Sequence, residues 1–443
     1  MRALLRPTVL LAFTVMLLAG EPALGSLPGP QLDPEPWFHS WSPVGCTPHR
    51  SVTDPSGAPL PRDLQSLITQ GLADPRLDRV RLGLSVWMDG YGEIASDGPD
   101  RRLLPASNQK ILTAMGVMSL LDPNATLFTE VQAAAPVAGG TLPGDLVLVG
   151  GGDPTLARDG PHSLEELASQ VRGTGITSVL GDVVVDESRY DRRRRAEGWL
   201  DWQLPTFVGP LSALTVGHNQ YRSDPDFLSD PAAGNGQLFV DALAGHGVAV
   251  QGAVVRHRAP VSTRRLAGLP SSPFGELVGS MLRLSDNTIA ELLLKEVGLA
   301  ERGWGSTRAG LEAVTEAVEG LCVPLKGFDA DGSGLSRRNW RSAREWRTLL
   351  QAAQAAPWWE AFSASLPVAA ESGTLAGRFH GTAAAGNLRA KTGTIVEGRA
   401  LSGFFTTEGG REVFFSAIVN GNDSRPAMEA IDGLIGELAA YPG

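Results

Sequence analysis

Strand-like segments sit near both ends of this chain, with helix-like ones between them. Residues 80–88 alternate well enough for a strand, Asp89-Gly90-Tyr91-Gly92 reads as a turn, and 93–96 returns, which predicts a hairpin. Far downstream, 389–394 leads into 401–405, and 412–419 reads as a partner strand before a closing helix over 427–440. Helical periodicity marks 273–282, 289–297, 308–318 and 342–355. A lone hairpin buries too little to be stable. One antiparallel sheet built from both ends of the chain, with helices on its faces, satisfies all of these segments; the fold class is α+β.

At 443 residues the chain is longer than one ordinary core. From 122 to 270 the texture changes to short β-like runs (146–149, 181–186, 247–250) separated by glycine and proline. One helix interrupts them over 163–171, with a capping-box pattern at Ser163 and Glu166. This predicts a mostly β domain inserted into a domain whose two parts are 62–121 and 271–443. A short helix is expected to start at Asp63.

The N-terminus reads as a targeting segment. Arg2 and Arg6 precede an apolar run over 9–19, and Ala23-Leu24-Gly25 offers a small-x-small cleavage site. A signal peptide over 1–25 is expected, with an uncleaved anchor as the alternative. The apolar run is short for a bilayer, and no later run is long enough to span one. The mature chain is therefore expected to be extracytoplasmic, periplasmic or secreted, with no stable membrane span. Residues 26–61, rich in proline, glycine and tryptophan, read as an irregular arm. In an oxidising compartment the two cysteines, Cys46 and Cys322, could pair, although sequence does not give their distance.

A net charge of −10 speaks against a nucleic-acid partner. The one basic run, Arg192-Arg193-Arg194-Arg195, reads as a solvated loop. The seven histidines stand singly, and no Cys-x-x-Cys or His-Glu-x-x-His occurs, so no metal and no cofactor is expected.

Three polar clusters fall at element boundaries. In the first, Ser107 and Lys110 open an apolar, helix-like run to about 121, just after Pro105. Three residues apart on a helix, they share a face. Of the four lysines, Lys110 alone has a serine three places before it. A serine here is often only an N-cap. A partly desolvated lysine beside it adds an amine able to act as a base. The other clusters are Ser285-Asp286-Asn287 and Lys391-Thr392-Gly393-Thr394. Each alone reads as a helix cap or as a strand entering a turn. Together, in this order, they supply the parts of acyl transfer. Ser107 is the nucleophile and Lys110 its base. Ser285 relays a proton to the leaving amine, and Asn287 holds a substrate amide or the lysine. Lys391 and Thr392 bind a substrate carboxylate. Gly393 leaves room for an extended substrate along the strand. The backbone N–H groups of Ser107 and Thr394 are the natural oxyanion donors. Asp153, in Gly151-Gly152-Asp153-Pro154, reads as a turn residue, with a substrate role as the alternative.

Ser-x-x-Lys, Ser-Asp-Asn and Lys-Thr-Gly in this order resemble the serine penicillin-binding proteins and class A β-lactamases. Four stretches look like the D-Ala-D-Ala carboxypeptidase/endopeptidase family typified by penicillin-binding protein 4, serine peptidase family S13. They are Leu104-Pro105-Ala106-Ser107-Asn108-Gln109-Lys110, Gly151-Gly152-Asp153-Pro154-Thr155-Leu156, Asp331-Gly332-Ser333-Gly334-Leu335-Ser336 and Arg389-Ala390-Lys391-Thr392-Gly393-Thr394. Gly181-Asp182-Val183-Val184-Val185-Asp186 is similar to that family's inserted region. The resemblance spans about 80–420. It implies a penicillin-binding-protein/β-lactamase-like domain and a serine DD-peptidase acting on peptidoglycan stem peptides. The bond cut would be terminal D-Ala-D-Ala or a D-Ala–diaminopimelate cross-link. It implies β-lactam antibiotics as covalent inhibitors, and it places Asp153 near the site as a contact for the amino end of a substrate side chain. The insertion looks shorter than in the family's larger members, which carry two extra domains; one inserted domain, with the second reduced or missing, is expected.

Two rivals remain at this stage: a β-lactamase of the same fold, and a non-catalytic penicillin-recognising protein. Class A β-lactamases activate the deacylating water with a glutamate. No Glu-x-x-x-Asn occurs between Ser107 and Ser285, which counts against the first. The presence of every motif residue counts against the second.

Overall fold

The computed structural model describes residues 59–133 and 135–443. The expected signal peptide, most of the expected arm and Cys46 lie outside the described residues. In chain order come α1 (Arg62–Leu72), β1 (Arg81–Met88), β2 (Gly92–Asp97), α2 (Gln109–Leu120), β3 (Phe128–Ala133), β4 (Thr141–Leu142) and β5 (Leu146–Val149). Next are α3 (Leu164–Gly173), β6 (Ser178–Val179), β7 (Val183–Asp186), α4 (Pro225–Ser229), α5 (Pro231–Gly245), β8 (Ala249–Val250), β9 (Val254–Arg256) and β10 (Arg264–Pro270). The chain closes with α6 (Phe274–Leu284), α7 (Asn287–Arg302), α8 (Thr307–Glu319), α9 (Ala343–Ala353), α10 (Trp359–Ser365), β11 (Arg389–Ile395), β12 (Gly398–Thr406), β13 (Glu412–Asn420) and α11 (Ser424–Ala439).

The two chain ends meet in one antiparallel sheet of order β11-β12-β13-β1-β2. Its central seam pairs β1 with β13 from Arg81↔Asn420 to Met88↔Val413. Alternation along the strands builds a core on each face. Leu82, Leu84, Val86 and Met88 join Val413, Phe415, Ala417 and Val419 under α1 and α11. Phe414 and Ile418 face the other way, into the core of α2, α6, α7, α8, α9 and α10. With both faces covered, β13 reads as one apolar run. In α2 every residue from Gln109 to Met118 is buried, so this helix shows no polar face.

The segment between α2 and α6 forms a second sheet, β10-β3-β5-β7-β9, and a small third one, β4-β6-β8. It carries more helix than its short strands suggest. The β5–β7 and β7–β9 pairs are parallel, and parallel neighbours need a crossover, which α3 and α5 supply. Only half of the expected capping box forms at α3. The Ser163 Oγ accepts from the Glu166 N–H at 3.2 Å, while the Glu166 side chain takes the Gln170 amide instead.

The stretch after β7 folds back onto α7, where Tyr190, Trp199, Leu204 and Leu211 pack with Leu292 and Leu335. The arginine run is not wholly solvated. Arg192, Arg193 and Arg195 are exposed, but Arg194 donates to both oxygens of the buried Glu187 at 2.6 and 2.7 Å. A carboxylate at that depth needs a partner charge, and Arg194 provides it. Cys322 is disulfide-bonded. Among the described residues, no helix is long and apolar enough to cross a membrane.

Candidate active site

The site begins just before α2. Residues 106–108 make one 3-10 turn, and Asn108, not Ser107, holds the N-cap position. Ser107 is partly exposed and makes no capping bond, so its hydroxyl is free for other work. Ala106 sits at φ +48°, in the left-handed region, which costs a non-glycine residue about 1–2 kcal/mol. Neighbours hold it there. The Asn108 amide donates to Ser402 Oγ on β12 at 2.5 Å, and the Gln109 amide donates to Asp329 at 2.9 Å. Gly334, at φ +89°, passes so close that a Cβ would lie 1.9 Å from the Ala106 carbonyl oxygen. At Gly393 a Cβ would lie 2.9 Å from the Pro105 oxygen. The sequence reading reserves the space at Gly393 for substrate; in the structure the chain's own Pro105–Ala106 turn occupies it.

Lys110, one helical turn on, is fully buried. Its Nζ lies 3.0 Å from Ser107 Oγ, 2.6 Å from Asn287 Oδ1 and 2.6 Å from the Ser333 carbonyl oxygen. Burial lowers its pKa from the ordinary 10.5 to about 8, against the opposing pull of Asp331, Asp286 and Glu291. A neutral amine has two N–H bonds and one lone pair. If Asn287 and Ser333 take the two N–H bonds, the lone pair is left facing the Ser107 hydroxyl.

The Ser285–Asn287 cluster joins two helices. Ser285 ends α6 in the left-handed region at φ +59°, and Asp286 caps α7 by accepting the Ile289 N–H at 2.8 Å. Of the two roles open to Asn287, the structure shows the lysine contact. Its Oδ1 takes Lys110, and its Nδ2 donates to the Phe207 carbonyl at 2.8 Å.

Lys391 enters from β11, the edge strand of the main sheet. Its Nζ donates to Ser285 Oγ at 2.9 Å and to the Thr392 carbonyl at 2.8 Å. It is fully buried, and desolvation together with the nearby Lys110 pushes its pKa well down. A substrate carboxylate would reverse that penalty by giving the ammonium a counter-charge. Thr392 Oγ1 donates to Thr374 at 2.7 Å, and Thr394 is exposed on the same edge.

Asp153 makes its hydrogen bonds within its own turn. Its buried carboxylate accepts from the Thr155 N–H and hydroxyl at 2.8 and 2.7 Å and meets His162 Nε2 at 2.6 Å. The bond to Asp153 raises the His162 pKa. The Asp153 bonds are those of a turn staple, and among the described residues no hydrogen bond links Asp153 to Ser107, Lys110, Ser285 or Lys391.

The model of the D-Ala-D-Ala carboxypeptidase 3 (S13) family matches residues 64–225 and 227–441. The chain belongs to that family. A D-alanyl-D-alanine carboxypeptidase of Actinomadura is 32% identical over 90% of this chain and 88% of its own length. A carboxypeptidase of Mycobacterium tuberculosis is also 32% identical, over 86% of this chain and 85% of its own. Among solved structures, penicillin-binding protein 4 of Haemophilus influenzae superposes with a TM-score of 0.73 at 22% identity, covering 86% of this chain and 99% of that one. The S13 fold is thus the frame on which the three clusters converge.

Three parts of this S13 site lie outside the three motif clusters. The Ser333 carbonyl is a backbone group, so no side-chain pattern marks its role. The carboxylate of Asp331 holds its turn by accepting from Gly334 N at 2.9 Å, Ser336 N at 2.7 Å and the Trp199 indole at 2.8 Å. The glycine-rich 331–336 stretch is visible in sequence as a tight turn and as one of the stretches that resemble the family, but neither signal assigns Asp331 this role. The Phe207 carbonyl, brought from the other sheet's segment, has none.

Proposed function

We propose that this chain is a serine D-alanyl-D-alanine peptidase of the S13 family, working outside the cytoplasm on peptidoglycan stem peptides. The observation that carries the reading is the bonding of Lys110, whose two fixed acceptors leave its lone pair for Ser107. Lys110 Nζ takes the Ser107 proton as Oγ bonds to the carbonyl carbon of the penultimate D-Ala. The N–H groups of Ser107 and Thr394 hold the developing oxyanion. The C–N bond then breaks, and the leaving amine receives a proton through Ser285, which Lys391 holds in place. Water hydrolyses the Ser107 ester and releases the shortened peptide.

Lys391 and Thr392 receive the terminal carboxylate, and the substrate backbone lies along the open edge of β11. When the leaving amine belongs to a neighbouring stem, the same steps cut a cross-link. A β-lactam presents the same carbonyl and carboxylate and is held as a lasting ester. The reading is tested by intact-mass measurement after benzylpenicillin treatment, followed by incubation with a D-Ala-D-Ala stem peptide. One adduct per chain, lost in Ser107→Ala, and release of D-Ala are expected. An adduct that survives in Ser107→Ala, or no D-Ala released, sinks it.

A further inference from the structure

Glu291 is a fully buried carboxyl that the steps above do not use. It lies four residues after Asn287 on α7, on the same face of the helix. Its Oε1 accepts from the Gly332 N–H at 3.0 Å and the Ser333 N–H at 2.8 Å, and the Ser333 carbonyl accepts from Lys110 Nζ. Helix α7 therefore reaches Lys110 twice, directly through Asn287 and through the 332–333 backbone by way of Glu291. We propose that Glu291 is a positioning residue for Lys110, clamping the carbonyl that takes one Nζ–H and placing a buried acid where its charge favours the ammonium that Lys110 becomes. This rests on the acyl-transfer reading of Ser107 and Lys110.

The choice of residue supports a role beyond the clamp. A neutral amide would accept the same two N–H bonds. A carboxyl at this depth is costly when ionised, and its Oε2 is buried without a hydrogen-bond partner. Burial first, then the charge of Asp331, raises the Glu291 pKa to about 8; the bonds from Ser333 and the charge of Lys110 oppose the rise. Lys110 is itself lowered by burial, and the charge of Glu291 opposes that shift. The other charges facing the pair are Asp331 in the turn, Asp286 at the start of α7, Lys295 further along α7, which is paired with Asp191, and Lys391 on β11.

The test is the pH profile of benzylpenicillin acylation, in the full chain, for wild type and Glu291→Gln. Glutamine keeps a carbonyl for the two N–H bonds and removes the charge. The ammonium then loses support, so the midpoint of the rising limb is expected to move down by about half a pH unit or more. The maximal rate falls with it, because Lys110 becomes a weaker base. A smaller shift, no shift or an upward one overturns the proposal, since a purely structural clamp would leave the midpoint in place. If E291Q does not fold, Glu291→Asp serves: it keeps the charge and shortens the clamp. It is expected to hold the midpoint and slow the reaction, and a moved midpoint overturns the proposal. Wild type that is never acylated would instead sink the acyl-transfer reading itself.

Discussion

At the scale of single residues, the site turns on how far one amine is shifted toward its neutral form. Lys110 is depressed from 10.5 to about 8, so its free-base fraction grows as pH rises through 8. At pH 7, one unit below, about a tenth of the chains carry the neutral base. The acylation rate of wild type is therefore expected to climb with pH and level off above about 8, as read by stopped-flow or quenched mass spectrometry. A rate flat from pH 6 to 9 would remove Lys110 from the base role. Lys110→Ala should slow acylation by about 100-fold or more. Its melting temperature should hold, because the deleted group carries a desolvation cost of its own. A collapsed fold in that variant would contradict this account of the lysine's burial.

At the scale of elements, reactive geometry depends on backbone approaches that side chains cannot replace. The left-handed Ala106 is held between the Gly334 turn and β11, and both contacts need glycine. Gly334→Ala places a Cβ 1.9 Å from the Ala106 carbonyl while demanding a positive φ. The expected cost is about 2–4 kcal/mol by denaturant unfolding. Acylation should slow as well, because relief of the clash moves either Ser107 or the Ser333 carbonyl. A G334A protein of unchanged stability and rate would show that the turn yields without disturbing either.

At the scale of the whole molecule, Ser107 and Lys391 come from distant parts of the chain that the β1–β13 seam joins in one sheet. The loop from β9 to β10 is largely exposed, with Arg258 exposed and Val261 at 96% exposure. A single tryptic cut after Arg258 leaves β10 paired to β3 across the nick. The nicked protein is expected to migrate as one native species and still to react with a fluorescent penicillin. On a denaturing gel the label should sit on the N-terminal piece alone. Loss of labelling on nicking would mean that chain continuity, not sheet pairing, holds the site together.

Sequence alone marked the three clusters and the frame that holds them. Apolar alternation at both chain ends points to a shared sheet, because the N-terminal hairpin could not bury its faces by itself. The Ser107–Lys110 pair was legible because a three-residue offset is a local property of a helix. Tertiary structure alone decided what surrounds that pair. Asn287 turns to the lysine, because the Phe207 carbonyl takes its other end. Asp153 keeps to its own turn, because Thr155 and His162 satisfy it there. Gly393 makes room for the chain itself. Such contacts join residues far apart in the sequence, several through backbone carbonyls that every residue carries, so no pattern of side chains announces them. Burial depresses the amine at Lys110, and its contacts with Asn287 and Ser333 fix it beside Ser107, which the spacing of two residues cannot do.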